Sequence, residues 1–262
     1  MSVSDRDIMK SVPIGKDDFK SLRDNDCYFV DKSGFIEEIM KRKGTEVFLF
    51  TRPRRFGKSL NMSMIDAFFN INYKGNHWFD GLKVMNCKEC VDEMNSYPVI
   101  FLSLKDLKTD TKELFLQSFS MKMSNLCASF DYLLGSNLNR AMLTRFETIS
   151  NGTTNQVELE GSLKLLTDLL YQYHGSKPIV LIDEYDNPVN DSYNGDVQYE
   201  IIGFMRGLMS NVLKSNESLR FGIVTGVMQI AKESIFSGLN NLSVNNIFSS
   251  NFNEYFGFTE SE

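Results

Sequence analysis

The sequence predicts an α/β protein in which helices cover both faces of a parallel sheet. Four short apolar runs, each of strand length, recur at wide spacing along the chain, at 47–50, 99–104, 179–182 and 221–224. Runs that are apolar throughout are typical of strands that are buried on both faces. Segments between them carry apolar residues at the spacing of amphipathic helices. Buried strands that alternate with such helices indicate the α/β class.

Helices are predicted wherever apolar residues repeat three, four and seven positions apart. Three such sets are Leu60, Met64, Ala67 and Phe68; Leu163, Leu166, Leu170 and Tyr173; and Ile201, Met205, Leu208 and Val212. Further helices are predicted at 111–130, at 137–149 and around Ile36, Ile39 and Met40. The Asn- and Ser-rich segment 237–253 is predicted to be irregular.

The composition is that of a globular protein with one large domain. The chain has 262 residues, and an apolar fraction of 42% is enough for a core. No run approaches the roughly 18 apolar residues of a membrane span, and residues 1–7 are charged where a signal peptide would be apolar. We therefore expect a cytoplasmic protein. Its net charge of −6 argues against nucleic acid as the main partner.

The four cysteines, Cys27, Cys87, Cys90 and Cys127, are too few and too scattered for a disulfide scaffold. Cys87 and Cys90 have the spacing of half a zinc site or of a redox pair. A zinc site needs two more ligands, and His77 is the only histidine that lies at all close upstream. We expect all four cysteines to be reduced thiols that bind no metal.

A phosphate-binding loop is predicted between the run at 47–50 and the helix that follows it. Gly57 lets the backbone approach phosphates, Lys58 supplies a charge for the β and γ phosphates, and the Ser59 hydroxyl can bind Mg²⁺. Arg52 stands where the pattern G-x-x-x-x-G-K-[ST] has its first glycine. The alternative is a basic loop that ends in an ordinary glycine turn. The predicted nucleotide-binding residues are Arg52, Pro53, Arg54, Arg55, Phe56, Gly57, Lys58, Ser59 and Leu60.

Two carboxylates follow the run at 179–182 directly. Parallel strands bring their carboxyl ends to one rim of the sheet, so Asp183 and Glu184 are expected beside the phosphate loop. Asp183 suits Mg²⁺, together with Ser59, and Glu184 suits the activation of an attacking water. The alternative is a solvated acidic turn that continues into Asn187 and Pro188.

The run at 221–224 ends in Thr225 and Gly226. In ATPases with a phosphate loop and a catalytic glutamate, a polar residue at the end of the intervening strand senses the γ-phosphate. Thr225 is our candidate for that position, although Thr-Gly is also an ordinary way to end a strand. The predicted catalytic residues are Glu184, Lys58 and Thr225.

These motifs resemble the AAA-ATPase-like domain of many bacterial proteins, which commonly precedes a PD-(D/E)XK-type nuclease domain. The matching stretches are YFVDK at 28–32, TRPRRFGKSL at 51–60, YPVI at 97–100, IDEYD at 182–186, TGV at 225–227, SIFSGLNNL at 234–242 and YFGFT at 255–259. The resemblance implies a three-layer P-loop NTPase fold with strand order 5-1-4-3-2. It also implies ATP binding at 52–59, Mg²⁺ at Asp183 and water activation by Glu184. Gln229 departs from it, because many members have an arginine there.

The resemblance divides the chain into a lead-in at 1–44, an NTPase core at 45–250 with a helical insertion at about 105–175, and the start of a C-terminal region at 251–262. A nuclease-type effector would belong to that further region, and oligomers are compatible with this organisation. The expected function is Mg²⁺-dependent ATP hydrolysis that drives or gates an effector. The alternative is a module that binds ATP and barely hydrolyses it. A P-loop kinase fits less well, because no acceptor site or lid is evident.

Overall fold

The computed structural model describes residues 10–44, 46–192, 195–228, 235–236, 238–260 and 262. Within these residues, five strands form one parallel sheet. The strands are β1 (Val47–Thr51), β2 (Val99–Ser103), β3 (Ile179–Asp183), β4 (Phe221–Gly226) and β5 (Leu242–Asn245). Their order across the sheet is β2-β3-β4-β1-β5. Read from the β5 edge, it is 5-1-4-3-2, the order that the resemblance implies.

Ten α-helices are described. They are α1 (Phe19–Asp24), α2 (Gly34–Lys41), α3 (Lys58–Phe69), α4 (Lys88–Asp92), α5 (Lys112–Ala128), α6 (Arg140–Ser150), α7 (Gln156–Glu160), α8 (Ser162–His174), α9 (Asn187–Asn190) and α10 (Gly195–Leu213). The helices predicted at 111–130 and 137–149 correspond to α5 and α6. Across the described parts of the chain, no helix combines the length and the apolar character that crossing a membrane requires.

The sheet separates two apolar clusters, because alternate residues of a strand point to opposite faces. Leu49, Ile182 and Val224 pack with residues of α5, α6, α8 and α10. Phe48 and Phe50 belong to the other cluster, together with residues of α2 and α3. All residues of β1, β3 and β4 are buried, which explains their uninterrupted apolar runs. The predicted sheet with helices on both faces is confirmed.

The prediction that 237–253 is irregular is wrong for β5. This strand, Leu-Ser-Val-Asn, pairs with β1 alone and lies at the edge of the sheet, where three of its four residues are only half-buried. A four-residue edge strand needs no continuous apolar run, so its sequence resembles that of a loop. Its pairing with β1 places the residues that follow it beside the end of β1.

The expectation of four free thiols is wrong for two of them. Cys87 and Cys90 form a disulfide, whereas Cys27 and Cys127 are free and buried. The Cα atoms of Cys87 and Cys90 lie 5.2 Å apart, within the range that a disulfide spans. Cys87 is the residue before α4 and Cys90 lies in its first turn, so the turn of the helix brings the two sulfur atoms together.

Candidate functional site

The candidate site lies at the rim where β1, β3 and β4 end. Their register aligns Phe50 with Thr225 and Thr51 with Gly226, and it aligns Ser103 at the end of β2 with Asp183. The phosphate loop leaves β1 at this rim and runs into α3. Motifs that are more than 120 residues apart in sequence therefore meet at one edge, as parallel pairing predicts.

Gly57 is the residue that turns the loop into α3. Its φ of 75° is left-handed, a conformation that glycine adopts without steric cost. Among the described residues, no heavy atom lies within 4 Å of the position that a Cβ of Gly57 would take. The glycine is thus required by its backbone conformation, and this side of the loop has room for a ligand.

Lys58 is the first residue of α3, and its side chain extends back to the start of the loop. Its Nζ donates to the carbonyl oxygens of Arg52 at 2.9 Å and Pro53 at 3.0 Å. Burial lowers the pKa of Lys58, and the carboxylates of Asp183 and Glu184 act in the opposite direction. The result is a cation held beneath the loop and beside the acidic end of β3.

Asp183 joins three of the predicted site residues. Its carboxylate accepts from the Ser59 hydroxyl at 2.6 Å, from the Thr225 hydroxyl and from the Glu184 N–H at 3.0 Å. Only 4% of Asp183 is exposed, so these donors are what stabilises its buried oxygens. The hydrogen bonds connect the ends of β3 and β4 to the start of α3.

The donors around Asp183 fit a hard divalent cation. Mg²⁺ prefers oxygen ligands and is commonly held by one or two carboxylates together with phosphate and water. Within the described ranges, no group of three or more His, Cys, Asp and Glu side chains is placed to hold a metal. The Asp183 carboxylate and the Ser59 hydroxyl are oxygen groups of the kind that Mg²⁺ prefers.

Glu184 has a strained backbone and a perturbed side chain. Its φ of 54° is left-handed, which costs free energy for a residue with a Cβ and is typical of functional sites. Its carboxylate accepts from Asn187 Nδ2 at 3.2 Å. Burial, and then the charge of Asp183, raise the pKa of Glu184, whereas Lys105 and Lys58 lower it. A raised pKa makes the carboxylate a better proton acceptor.

Arg52 makes contacts that the loop pattern does not predict. Its N–H donates to the Gly226 carbonyl at 3.1 Å. The guanidinium donates to the Asn245 carbonyl at 2.7 Å and to Asn253 Oδ1 at 2.9 Å, and it lies 4.8 Å from the Phe256 ring centroid. The side chain points away from the loop and is buried. Contact between Arg52 and a nucleotide stays a prediction, and in this structure both its N–H and its guanidinium bind other parts of the chain.

The other predicted loop residues differ in exposure. Pro53, Arg54 and Arg55 are exposed, and the two arginines are accessible to an anion at the surface of the loop. Phe56 is half-buried and packs, like Leu60, against the aromatic cluster that contains Phe50. Gln229, where the resemblance leads us to expect an arginine, lies outside the described residues.

Tyr185 and Asp186 are site residues to which the motif reading gave no role. Asp186 Oδ2 accepts from the N–H groups of Val227 at 3.0 Å and Met228 at 2.9 Å. The Tyr185 hydroxyl donates to the Met228 carbonyl at 2.9 Å. Both side chains are buried and hold the segment that follows β4. The signal in the sequence is a third acid, Asp186, soon after a strand that is already followed by two.

Replacing Gly226 by alanine is expected to destabilise the protein by about 1–3 kcal/mol. A Cβ at this position would lie 2.6 Å from Asp186 Oδ1 and 2.6 Å from the Tyr185 ring, and both side chains are buried and fixed by hydrogen bonds. The free energy of unfolding in urea measures the effect.

Gly203 provides the matched control. It lies in the middle of α10, is exposed, and has no described heavy atom within 4 Å of the position of its Cβ. Gly203→Ala should therefore stabilise the helix by about 0.5–1 kcal/mol. Equal stabilities of the Gly226→Ala variant and the wild type would contradict the packing described for the end of β4.

Comparison with known proteins places these features in a family. A family model described as "Predicted AAA-ATPase" matches residues 13–236. A protein of Azotobacter chroococcum mcd 1, described as an uncharacterized protein in the vnfD 5' region, is 31% identical over 260 residues. That alignment covers 97% of this chain and 44% of the relative, so the chain spans less than half the relative's length. The chain belongs to the AAA-ATPase-like family of predicted AAA-ATPases.

Proposed function

We propose that this domain binds ATP at the phosphate loop and hydrolyses it with the help of Mg²⁺, in order to drive or gate an attached effector. The observation that carries the proposal is the set of hydrogen bonds that joins Ser59 and Thr225 to Asp183, directly beside Lys58. ATP hydrolysis needs a cation at the phosphates, oxygen ligands for a metal and a base for water. The described residues offer one candidate group for each task.

Lys58 would hold the nucleotide through its phosphates. Its ammonium group is largely removed from water, and a charge in such surroundings attracts an anion more strongly than it would in bulk solvent. Arg54 and Arg55 add positive charge at the surface of the same loop. The loop therefore suits a polyphosphate better than it suits a neutral ligand.

Ser59 and Asp183 would hold the metal. When bound, Mg²⁺ neutralises charge that develops on the phosphates during transfer. Thr225 donates to Asp183 and so fixes the orientation of its carboxylate. At the end of β4, this hydroxyl is also our candidate for sensing the γ-phosphate. Glu184 would take a proton from the attacking water, a task that suits its raised pKa.

Lys58→Ala is expected to weaken binding of Mg²⁺-ATP tenfold or more, because each lost charge-assisted contact to phosphate contributes about 1.5–3 kcal/mol. Isothermal titration calorimetry measures the affinity, and phosphate release is followed in parallel. Lys74→Ala is the matched control: Lys74 is exposed and follows the short 3₁₀ turn Ile71–Tyr73, so both readouts should stay unchanged.

The same two measurements on the wild type decide between the two functions that the sequence leaves open, ATP hydrolysis and ATP binding with little hydrolysis. Binding and hydrolysis together support the proposal. Tight binding with no phosphate release would instead make this domain a nucleotide-gated interaction module. No binding of Mg²⁺-ATP by the wild type would refute the proposed site altogether.

A further inference from the structure

Residues 252–257 lie against the phosphate loop, and we name this segment the C-terminal brace. It includes the short 3₁₀ turn Asn253–Tyr255 and lies beyond residue 236, where the match to the family model ends. None of the residues that the motifs assign to the nucleotide site belongs to it. It nevertheless makes direct hydrogen bonds to the loop and to the start of α3.

The brace is hydrogen-bonded to the loop at three successive points. Where the loop begins, Arg52 donates to Asn253 Oδ1 at 2.9 Å. In the middle of the loop, the Phe56 carbonyl accepts from the N–H of brace residue Gly257 at 3.2 Å. In the first turn of α3, Asn61 Nδ2 donates to the carbonyl of brace residue 255 at 2.9 Å. The start of the phosphate loop, Phe56 within it and the first turn of α3 are thus each attached to the same short segment.

The buried guanidinium of Arg52 depends on the brace. Only 2% of Arg52 is exposed, and burial lowers the pKa of its guanidinium. The guanidinium donates to the carbonyls of Thr51 and Asn245. It also donates to Asn253 and lies against the Phe256 ring, so two of its four partners belong to the brace. A buried charge that loses partners is destabilising, so undocking of the brace would disfavour the buried position of Arg52.

The brace also has an unusual backbone. Phe252 has a left-handed φ of 64°, which is rare and costly for a bulky residue. Gly257 has a φ of 74°, and a Cβ there would lie 3.2 Å from the Phe56 ring. Glycine adopts such a φ without steric cost, whereas the Phe252 conformation persists only where surrounding contacts hold it. Phe252 packs against the rings of Phe35 and Phe50.

We propose that docking of the C-terminal brace and binding of nucleotide at the phosphate loop are thermodynamically coupled, with Arg52 as the positioning residue that connects them. The proposal rests on the proposed function, because it needs a nucleotide at that loop. A ligand that fixes the loop also fixes the three attachment points, so it stabilises the docked brace. Coupling between two equilibria is reciprocal, and the docked brace therefore raises the affinity for nucleotide.

Through this coupling, nucleotide binding affects the docking of the brace and so the position of residues connected to it. The brace contacts the loop directly, so binding of nucleotide changes the position of a segment that lies outside the nucleotide site. Arg52 contributes without contacting phosphate, because its side chain points toward Asn245 and Asn253. This explains why an arginine, and not a glycine, stands at the start of this loop.

Asn253→Ala tests the coupling without altering any residue of the proposed nucleotide site. It removes the one acceptor for Arg52 that the brace supplies, and we expect the affinity for Mg²⁺-ATP, measured by calorimetry, to fall about fivefold or more. Asn253→Asp keeps an oxygen acceptor facing the guanidinium and should bind nearly as tightly as the wild type. Asn251→Ala is the matched control, since Asn251 is an exposed neighbour just outside the brace.

Hydrogen exchange on the wild type provides a second, independent readout. Amide exchange in peptides that cover 252–257 should slow when Mg²⁺-ATP is added, and it should slow less in Asn253→Ala. If the role of Arg52 is purely structural, Asn253→Ala lowers the melting temperature, but amide exchange in the wild-type brace does not change when Mg²⁺-ATP is added. If Asn253→Ala melts far below the wild type, the exchange of the wild-type brace decides the question.

The outcomes separate the two proposals. A wild type that does not bind Mg²⁺-ATP refutes the nucleotide site and the coupling with it. A wild type that binds, with equal affinity in Asn253→Ala, overturns the coupling alone, and so does brace exchange that nucleotide leaves unchanged. Weaker binding in Asn253→Ala, recovery in Asn253→Asp and nucleotide-dependent protection of the brace together establish it.

Discussion

Glu184→Gln is expected to slow ATP hydrolysis by about 10²–10⁴-fold while the affinity for Mg²⁺-ATP stays close to that of the wild type. Glutamine has nearly the same shape and keeps an oxygen that can accept from Asn187, so the end of β3 should remain intact. It cannot take a proton from water. Single-turnover phosphate release measures the chemical step, and calorimetry measures the affinity.

Glu217→Gln is the matched control for this variant. Glu217 is exposed and follows α10, ahead of β4 in the chain, so it lies at the end of the sheet opposite the phosphate loop. Neither readout should change. Hydrolysis at the wild-type rate in Glu184→Gln would mean that another group activates the water.

The pH profile of the wild type tests the same assignment. A general base works only when it is unprotonated, and burial raises the pKa of Glu184. On acidification, hydrolysis should therefore begin to fall at a higher pH than an ordinary glutamate would give. The residual rate of Glu184→Gln should lack this step. A step that persists in the variant would belong to another residue.

The parts of this structure that could be predicted are those encoded by local pattern. β1, β3 and β4 are buried on both faces, and burial of that kind demands uninterrupted apolar runs that are visible in the sequence. The residues at their carboxyl ends then share one rim, whatever the details of packing. This reasoning alone predicts that four site residues lie close together, namely Lys58, Ser59, Asp183 and Thr225. The structure joins the last three of them by hydrogen bonds.

The parts that could not be predicted depend on partners far along the chain. The carbonyl that Arg52 binds is 193 residues away and the Asn253 side chain is 201 residues away. No local pattern encodes such pairings. The position of Arg52 within the loop suggested a phosphate contact, but its environment directs the side chain toward the brace.

Phe50→Ala is expected to lower the free energy of unfolding by about 3–5 kcal/mol, the usual cost of removing a buried phenylalanine. Phe50 is fully buried and is the residue of β1 that lies two positions before Arg52. Its ring centroid lies 5.2 Å from that of Phe35, 5.0 Å from that of Phe252 and 5.2 Å from that of Phe256. Urea denaturation, followed by circular dichroism, measures the effect.

Phe248→Ala is the matched control, because 93% of Phe248 is exposed and its removal should change stability by less than about 0.5 kcal/mol. The comparison matters because the Phe50 ring contacts the lead-in through Phe35 and the brace through Phe252 and Phe256. A cavity there removes packing from β1 and from both flanking segments at once. If Phe50→Ala and Phe248→Ala unfold at the same urea concentration, β1, the lead-in and the brace do not share a cooperative core. The brace is then not packed firmly enough for its docking to be coupled to the phosphate loop.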